Sequence, residues 1–181
     1  MNKIFIAIIS IYIYQVLFIK KYFKYLPTIP VYPNNKKELE TVKNKIKNRT
    51  KEDIKIFKLT DRSVSELFAL YVKESVKELD IITLIPVVII NIFKTIINRA
   101  RPYHIDKNIN YLKSKTDKTP AYPAGHAFQA YYLAKVLTKR YPNLKDLFQI
   151  LAFKCVHVRE AAGIHYPSDG IFAKQLVDFF Y

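Results

Sequence analysis

The sequence predicts an all-α protein, and three observations lead to this prediction. The chain of 181 residues contains only 3 glycines. Apolar residues recur at helical spacing in several segments, and no apolar–polar alternation typical of strands extends beyond a few residues. Half of the residues are hydrophobic, which is enough for a substantial core.

Composition excludes several classes of protein. Cys155 is the single cysteine, which excludes a disulfide framework and a cysteine-based zinc site. The 3 glycines lie too far apart for a dinucleotide-binding fingerprint. The formal net charge of +15 favours anionic partners such as phosphate esters, acidic lipids or nucleic acid.

The N-terminal segment 4–19 is apolar except at two positions, and three lysines follow it within five residues. It is short for a spanning helix, which needs about 20 residues. No small-residue cleavage site follows, which disfavours a signal peptide. We predict a single-pass membrane anchor helix in residues 1–26, with a buried core helix as the alternative. The flanking lysines favour a cytoplasmic position for the rest of the chain.

Residues 27–59 are predicted to form a basic linker and helix. Prolines at 27, 30 and 33 favour an extended start. Between positions 20 and 58, 12 basic residues stand against 4 acidic ones, which favours acidic lipid headgroups beside the anchor. Nucleic acid is not expected as a partner, because no known recognition module is visible.

Residues 60–181 are predicted to form the catalytic helical domain. Ser63 and Glu66 match a capping box, which predicts the start of an amphipathic helix that continues to Leu79. A strongly apolar helix is expected to begin near Thr83, and a polar, turn-rich stretch follows from 98 to 120. Further helices are predicted over 124–140, 144–158 and 167–180.

Lys94 is a charged residue in the most apolar helix, and Arg101 with Pro102 follows seven positions later. Seven residues are two helical turns, so both cations are expected on one face, about 10 Å apart. Taken alone, Lys94 is equally consistent with a lysine whose charged end reaches solvent from a core helix.

Gly125 and His126 follow Pro123 at the predicted start of a helix. Backbone amides at such a start approach an anion closely, and His126 is then placed to donate a proton. By itself this motif is weak evidence.

Arg159, His165 and Asp169 form the third group. The last two lie one helical turn apart, so the carboxylate is placed to orient the imidazole. His104 and His157 are interpreted as structural residues.

The order and spacing of these three motifs resemble the type 2 phosphatidic acid phosphatase superfamily, which also contains class A bacterial acid phosphatases and vanadium haloperoxidases. The resemblance covers roughly residues 60–181. It implies a phosphatidic acid phosphatase/haloperoxidase-like helical bundle in which the motifs meet at one phosphate pocket. By this resemblance, phosphate oxygens are held by Lys94, Arg101, Arg159 and the Gly125 amide, while the catalytic residues are His126 as general acid, His165 as nucleophile and Asp169 as its partner.

Two positions depart from the family pattern. Ala124 and Val158 stand where the family usually has serine. Loss of a charge-assisted hydroxyl bond to phosphate at Ala124 is worth about 1 to 3 kcal/mol.

The resemblance implies a metal-independent phosphatase without a cofactor. It would act on phosphate monoesters or on lipid or isoprenoid (pyro)phosphates, through a phosphohistidine intermediate. A vanadate-dependent haloperoxidase and an inactive, basic, membrane-associated protein with the same fold are the alternatives. Many relatives act on the extracytoplasmic side whereas the lysines favour the cytoplasm, so the side of the membrane stays open.

Overall fold

The structure, a computed structural model, describes residues 3–14, 21–26 and 28–181. Its regular elements are helices, and these residues contain no strand. The prediction of an all-α bundle is confirmed. The helices are α1 Lys3–Tyr14, α2 Asn35–Lys47, α3 Lys51–Thr60, α4 Ser65–Phe68, α5 Val76–Ile82, α6 Leu84–Ile97, α7 Pro102–Ile105, α8 Gly125–Arg140, α9 Lys145–Ala161 and α10 Pro167–Phe180.

The main core lies between α8 and α9, which are joined by a short 3-10 helix, Pro142–Leu144. Leu133 and Leu137 of α8 pack with Leu151 of α9, and all three are at most 2% exposed. The ring of Phe148 stacks on Phe68 of α4 with centroids 6.2 Å apart. A second apolar cluster connects α6, α8 and α10. The helices that carry the three motifs are therefore packed around a common centre.

Residues 35–60 form two helices that pack on this bundle. Leu39 and Val42 of α2 are buried with Ile109 and Tyr166. α3 begins with a capping box, in which the Asp53 amide donates to the Thr50 side chain and the Thr50 amide donates to the Asp53 carboxylate. The predicted basic segment thus contributes apolar side chains to the core.

The predicted helix from 63 to 79 is wrong. The Ser63 hydroxyl donates to Asp80 Oδ1 at 2.5 Å, and α4 ends at Phe68. The capping box lies instead at Ser75 and Glu78, where α5 begins. Both serines precede a glutamate by three residues, so the sequence pattern alone does not distinguish them.

The N-terminal helix α1 covers Lys3–Tyr14, and residues 15–20 of the predicted anchor lie outside the described residues. Among the residues that the structure does describe, no single helix has the length and apolar composition to cross a bilayer. One bent pair, Val76–Ile82 with Val87–Ile105, reaches those limits jointly with a bend of 56°. The anchor stays a prediction.

The three glycines lie in different environments. Gly163 has φ of +75° after the end of α9, which favours a residue without a side chain. Gly170 lies where α10 packs against α9, and a Cβ there would be 2.6 Å from Val156 Cγ1. Gly125 starts α8, where the nearest atoms to an added Cβ are 3.5 Å away or more.

We expect Gly170→Ala to lower the free energy of unfolding by about 1 to 3 kcal/mol, because the added methyl overpacks the α9–α10 contact. Gly125→Ala is the matched control, since it adds the same group on a helix without a close contact. Urea unfolding followed by circular dichroism measures both. Equal stability of the two variants would contradict this packing.

Candidate active site

Five of the predicted site residues line one cavity of about 410 Å³. Each of the three motifs contributes to the wall of this cavity. The first motif reaches it from α6 and from the residue before α7, the second from the start of α8, and the third from the segment before α10. The predicted site residues in the wall are Lys94, Arg101, Gly125, His126 and His165.

The first motif reaches the cavity from two elements rather than from one helix face. α6 ends at Ile97, because Asn98 adopts a left-handed conformation with φ of 50°. The Asn98 side-chain amide donates to the carbonyl of Phe23 at 2.9 Å and holds this end. Arg101 follows in extended backbone just before Pro102 begins α7. The expectation of two cations on one helix is therefore wrong, although both reach the cavity.

The hydrogen bonds of His165 define its tautomer. Its Nδ1 is 2.8 Å from Asp169 Oδ2, and its Nε2 is 3.2 Å from Arg101 Nη1. A carboxylate only accepts and a guanidinium only donates, so Nδ1 carries the proton and Nε2 carries a lone pair. The contacts with Asp169 and with Arg101 are thus both consistent with a neutral imidazole that is protonated on Nδ1. The lone pair is beside Arg101, in the wall of the cavity.

Arg99 contacts the predicted site residue Asp169, and the sequence analysis did not single it out. It is completely buried, and its Nη1 donates to Asp169 Oδ1 at 2.5 Å and to Ser168 Oγ at 2.7 Å. Its Nη2 donates to Glu38 Oε2 of α2 at 2.7 Å. Asp169 is therefore held between Arg99 on one oxygen and His165 on the other. A third basic residue between Lys94 and Arg101 was the signal available in the sequence.

Aromatic rings enclose the guanidinium of Arg99. Its Cζ lies 4.0 Å from the ring centroid of Tyr166, 4.4 Å from that of Tyr32 and 5.6 Å from that of Tyr122. Cation–π contacts of this kind are worth up to about 2 kcal/mol when the cation is desolvated. They hold the guanidinium in place beside Asp169.

Lys94 and Arg101 hold the turn-rich segment over the site. Lys94 Nζ donates to the carbonyl of Pro120. Arg101 donates from Nε to the carbonyl of Thr119 at 2.8 Å, and from Nη2 to that of Thr116 at 3.3 Å. Burial and the charge of Arg101 lower the pKa of Lys94.

Arg159 is set back from the cavity wall. Its Nη1 donates to Asp61 Oδ1 at 2.9 Å and its Nη2 donates to the carbonyl of Thr60 at 2.5 Å. Its Nε is buried and has no hydrogen-bond partner among the described residues. The structure thus brings Arg159 next to His165, in the wall of a small adjoining void, but not into the main cavity.

His126 opens α8 and faces the loop after α3. Its Nε2 lies 3.3 Å from the carbonyl oxygen of Asp61, so in the neutral ring Nε2 carries the proton and donates it. The same Asp61 accepts from Arg159, so one residue connects the second and third motifs. Sequence analysis did not single out Asp61.

Burial beside positive charge keeps both histidines neutral. Burial lowers the pKa of His165, and the charges of Arg101 and Lys94 lower it further. The pKa of His126 is lowered by burial and then by Arg159 and His165. Burial raises the pKa of Asp169, and Arg99 opposes that rise.

The two residues that depart from the family pattern are both buried in packing positions. Ala124 lies in the cluster between α6, α8 and α10, and its amide donates to the carbonyl of Asp169 at 3.0 Å. Val158 packs in the main core.

His104 and His157 lie outside the cavity. His104 Nδ1 accepts from the Arg101 amide at 3.3 Å, and burial followed by the charge of Lys107 lowers its pKa to about 4. His157 Nε2 lies 3.4 Å from Asp53 on the surface. Within the described ranges, no group of three or more His, Cys, Asp or Glu side chains is placed to hold a metal ion.

Comparisons with known proteins identify similar sequences and folds. The profile of the PAP2 superfamily matches residues 78–174, more than half of the chain. No curated protein matches the sequence of this chain. The fold is similar to a Bacillus subtilis structure described as the first transmembrane PAP2 type phosphatidylglycerolphosphate phosphatase. That match has a TM-score of 0.55 and 15% identity, and it covers 97% of this chain and 94% of the other. At this identity the similarity concerns the fold alone.

We expect the free energy of unfolding to fall as the pH drops through about 6.5. Folding lowers the pKa values of His126 and His165. Below that pH, both histidines are therefore protonated in the unfolded chain but not in the folded chain, which favours unfolding. The slope tends to about 1.4 kcal/mol per pH unit for each histidine. Denaturant unfolding from pH 7.5 to 5 measures it. An unchanged slope in His165→Gln would contradict this assignment.

We expect Arg99→Met to cost about 3 to 5 kcal/mol of unfolding free energy, because it leaves the Asp169 and Glu38 carboxylates without their buried cation. Adding Glu38→Gln should recover part of the loss, since one of the two unpaired charges is then removed. Denaturant unfolding of both single variants and the double variant measures these free energies in a double-mutant cycle. A cost below about 1 kcal/mol for Arg99→Met would contradict a stabilising role of Arg99 between Asp169 and Glu38.

Proposed function

Because the chain belongs to the PAP2 superfamily, we propose that it is a metal-independent phosphatase whose active site is the cavity lined by Lys94, Arg101, His126 and His165. The superfamily and the fold support phosphatase activity in general. The observation that carries the proposal is the Nε2 lone pair of His165, held beside Arg101 by the bond from Nδ1 to Asp169.

His165 is the nucleophile in this proposal. Its Nε2 attacks phosphorus in line and forms a P–N bond, while the bond from phosphorus to the leaving oxygen breaks. The ring becomes positively charged, and Asp169 stabilises it through the Nδ1 proton. Arg99 acts through Asp169, because it binds the carboxylate oxygen that His165 does not contact.

Three cations oppose the charge of the phosphate. Lys94 and Arg101 line the cavity, and the free Nε of Arg159 is a further donor beside it. Such groups stabilise the charge that spreads over the equatorial oxygens in the transition state. They also disfavour a metal ion in the same cavity by electrostatic repulsion.

His126 is the general acid and then the general base. Burial and then the charges of Arg159 and His165 lower its pKa. A bound phosphate anion offsets that positive charge and raises the pKa, so that His126 takes up a proton from water when the substrate binds. His126 protonates the leaving oxygen and afterwards takes a proton from the water that cleaves the P–N bond.

A lipid or isoprenoid phosphate is the proposed substrate, and a soluble phosphomonoester is the alternative. Val87 and Ile90 of α6 give the cavity an apolar wall, and Val88 and Ile92 expose apolar side chains outside it. The proposed membrane anchor in residues 1–26 is supported by the exposed isoleucines of α1. We propose residues 27–59 as the basic segment and 60–181 as the catalytic region.

Hydrolysis of 4-nitrophenyl phosphate in the presence of a chelator tests this function. We expect turnover that the chelator does not change, because the three cations replace a metal. His165→Ala should lose turnover and phosphoenzyme formation, measured as an acid-labile, base-stable adduct. His157→Ala is the matched control and should keep full activity, since it lies outside the cavity.

His126→Ala separates the two proposed histidine roles. Nitrophenolate scarcely needs a proton, so we expect the adduct to form at a near-normal rate. Its breakdown should slow by about 10²-fold or more, because the attacking water has lost its base, and the adduct should accumulate. Asp169→Asn should bind phosphate normally but attack slowly. Failure of both histidine variants to form the adduct would overturn the assigned roles.

A further inference from the structure

Two cations at the rim of the active site have no part in the proposed chemistry. Arg62 and Lys115 line the catalytic cavity, and both also line a second cavity of about 520 Å³. Both residues are exposed. Within the described part of the chain, neither side chain forms an ion pair. They therefore stand between the two cavities with their charges available.

The second cavity carries more positive than negative charge. Lys58 and Lys113 line it beside the two rim cations. Its acidic residues are Asp61 and Glu66. The Asp61 carboxylate is already satisfied, because it accepts from Arg159 at 2.9 Å, from the Ser114 hydroxyl at 2.5 Å and from the Lys115 amide at 3.1 Å. Glu66 is left as the acidic group opposite four cations.

The backbone on either side of the rim cations is tied to catalytic residues. Arg62 directly follows Asp61, whose carbonyl oxygen accepts from His126. Lys115 directly precedes Thr116, whose carbonyl oxygen accepts from Arg101. The Lys115 amide also donates to the Asp61 carboxylate, which joins the two segments. The backbone that carries the two rim cations is thus fixed relative to the catalytic cavity.

On the basis of the proposed function, we propose that Arg62 and Lys115 bind a second phosphate group of the substrate. While one phosphoryl group is cleaved between Arg101 and His165, the next phosphate along the substrate meets the rim cations. A guanidinium offers two parallel donors to phosphate oxygens, and a lysine ammonium adds a point charge. The site therefore prefers diphosphates, or esters with two phosphate groups, over monophosphates with the same apolar chain.

Farnesyl diphosphate and farnesyl monophosphate test this preference, because they differ only in the second phosphate. We expect Arg62→Ala with Lys115→Ala to lower kcat/KM for the diphosphate by tenfold or more. The monophosphate should lose less than threefold. Lys154→Ala removes an exposed cation of α9 that lines neither cavity, and it should change neither value. Equal losses for both substrates, or no loss for either, would overturn the proposal.

Binding separates this proposal from the proposed function. Calorimetry with methylenediphosphonate and methylphosphonate needs no turnover. Weaker binding of the diphosphonate alone in the double variant supports the second phosphate site, even if the wild type hydrolyses neither ester. Unchanged binding of both ligands overturns it.

Vesicles test an alternative source of the second phosphate. Monophosphate hydrolysis is compared on phosphatidylcholine and phosphatidylglycerol vesicles. A loss in the double variant that occurs only on phosphatidylglycerol would assign the rim cations to lipid headgroups, and the proposal would be wrong. If the double variant hydrolyses the monophosphate at the same rate on both kinds of vesicle, the result supports a second phosphate that belongs to the substrate.

Discussion

The buried ion pair between Arg99 and Asp169 is the interaction on which the rest of the site depends. Both side chains are fully inaccessible to solvent, and their closest atoms are 2.5 Å apart. Burying a charge is very costly unless it is paired and hydrogen-bonded, so the surrounding elements have to close around this pair. Asp169 then orients His165, and Glu38 and Ser168 complete the shell of Arg99. The contacts that pack these elements together are therefore the same contacts that set the geometry of the candidate site.

An excess of positive charge is the second constraint. Lys94, Arg101 and Arg159 are each at most 4% exposed and lie near two histidines. Backbone carbonyls and the Asp61 carboxylate satisfy most of their donors, which makes such a concentration of cations tolerable in the fold. Burial and then this positive charge lower the pKa values of His126 and His165, so both imidazoles are neutral. A site of this kind is preorganised for an anion before any ligand arrives.

The sequence predicted the residues that the motifs contain, but not the residues that support them. The family resemblance implied that Lys94, Arg101 and the two histidines meet in one pocket, and all four line one cavity. Helical periodicity identified α8 and α10 closely. Arg99 and Asp61 were missed because their partners lie 61 to 98 residues away, a separation that no local periodicity encodes. The position of Arg159 behind the cavity wall depends on its contact with Asp61, so the sequence did not predict that position either.

The docking of α2 has a consequence for folding and dynamics. Glu38 and Lys45 of this helix contact Arg99, Ser168 and Glu160, across 61 to 130 residues of chain. Contacts of such separation close large loops and form late in folding. Detachment of α2 by local unfolding would remove the bond from Arg99 to Glu38. The guanidinium of Arg99, which binds Asp169, would then be free to rotate. Hydrogen exchange in α2 therefore reports on the orientation of His165, which this helix reaches through Arg99 and Asp169.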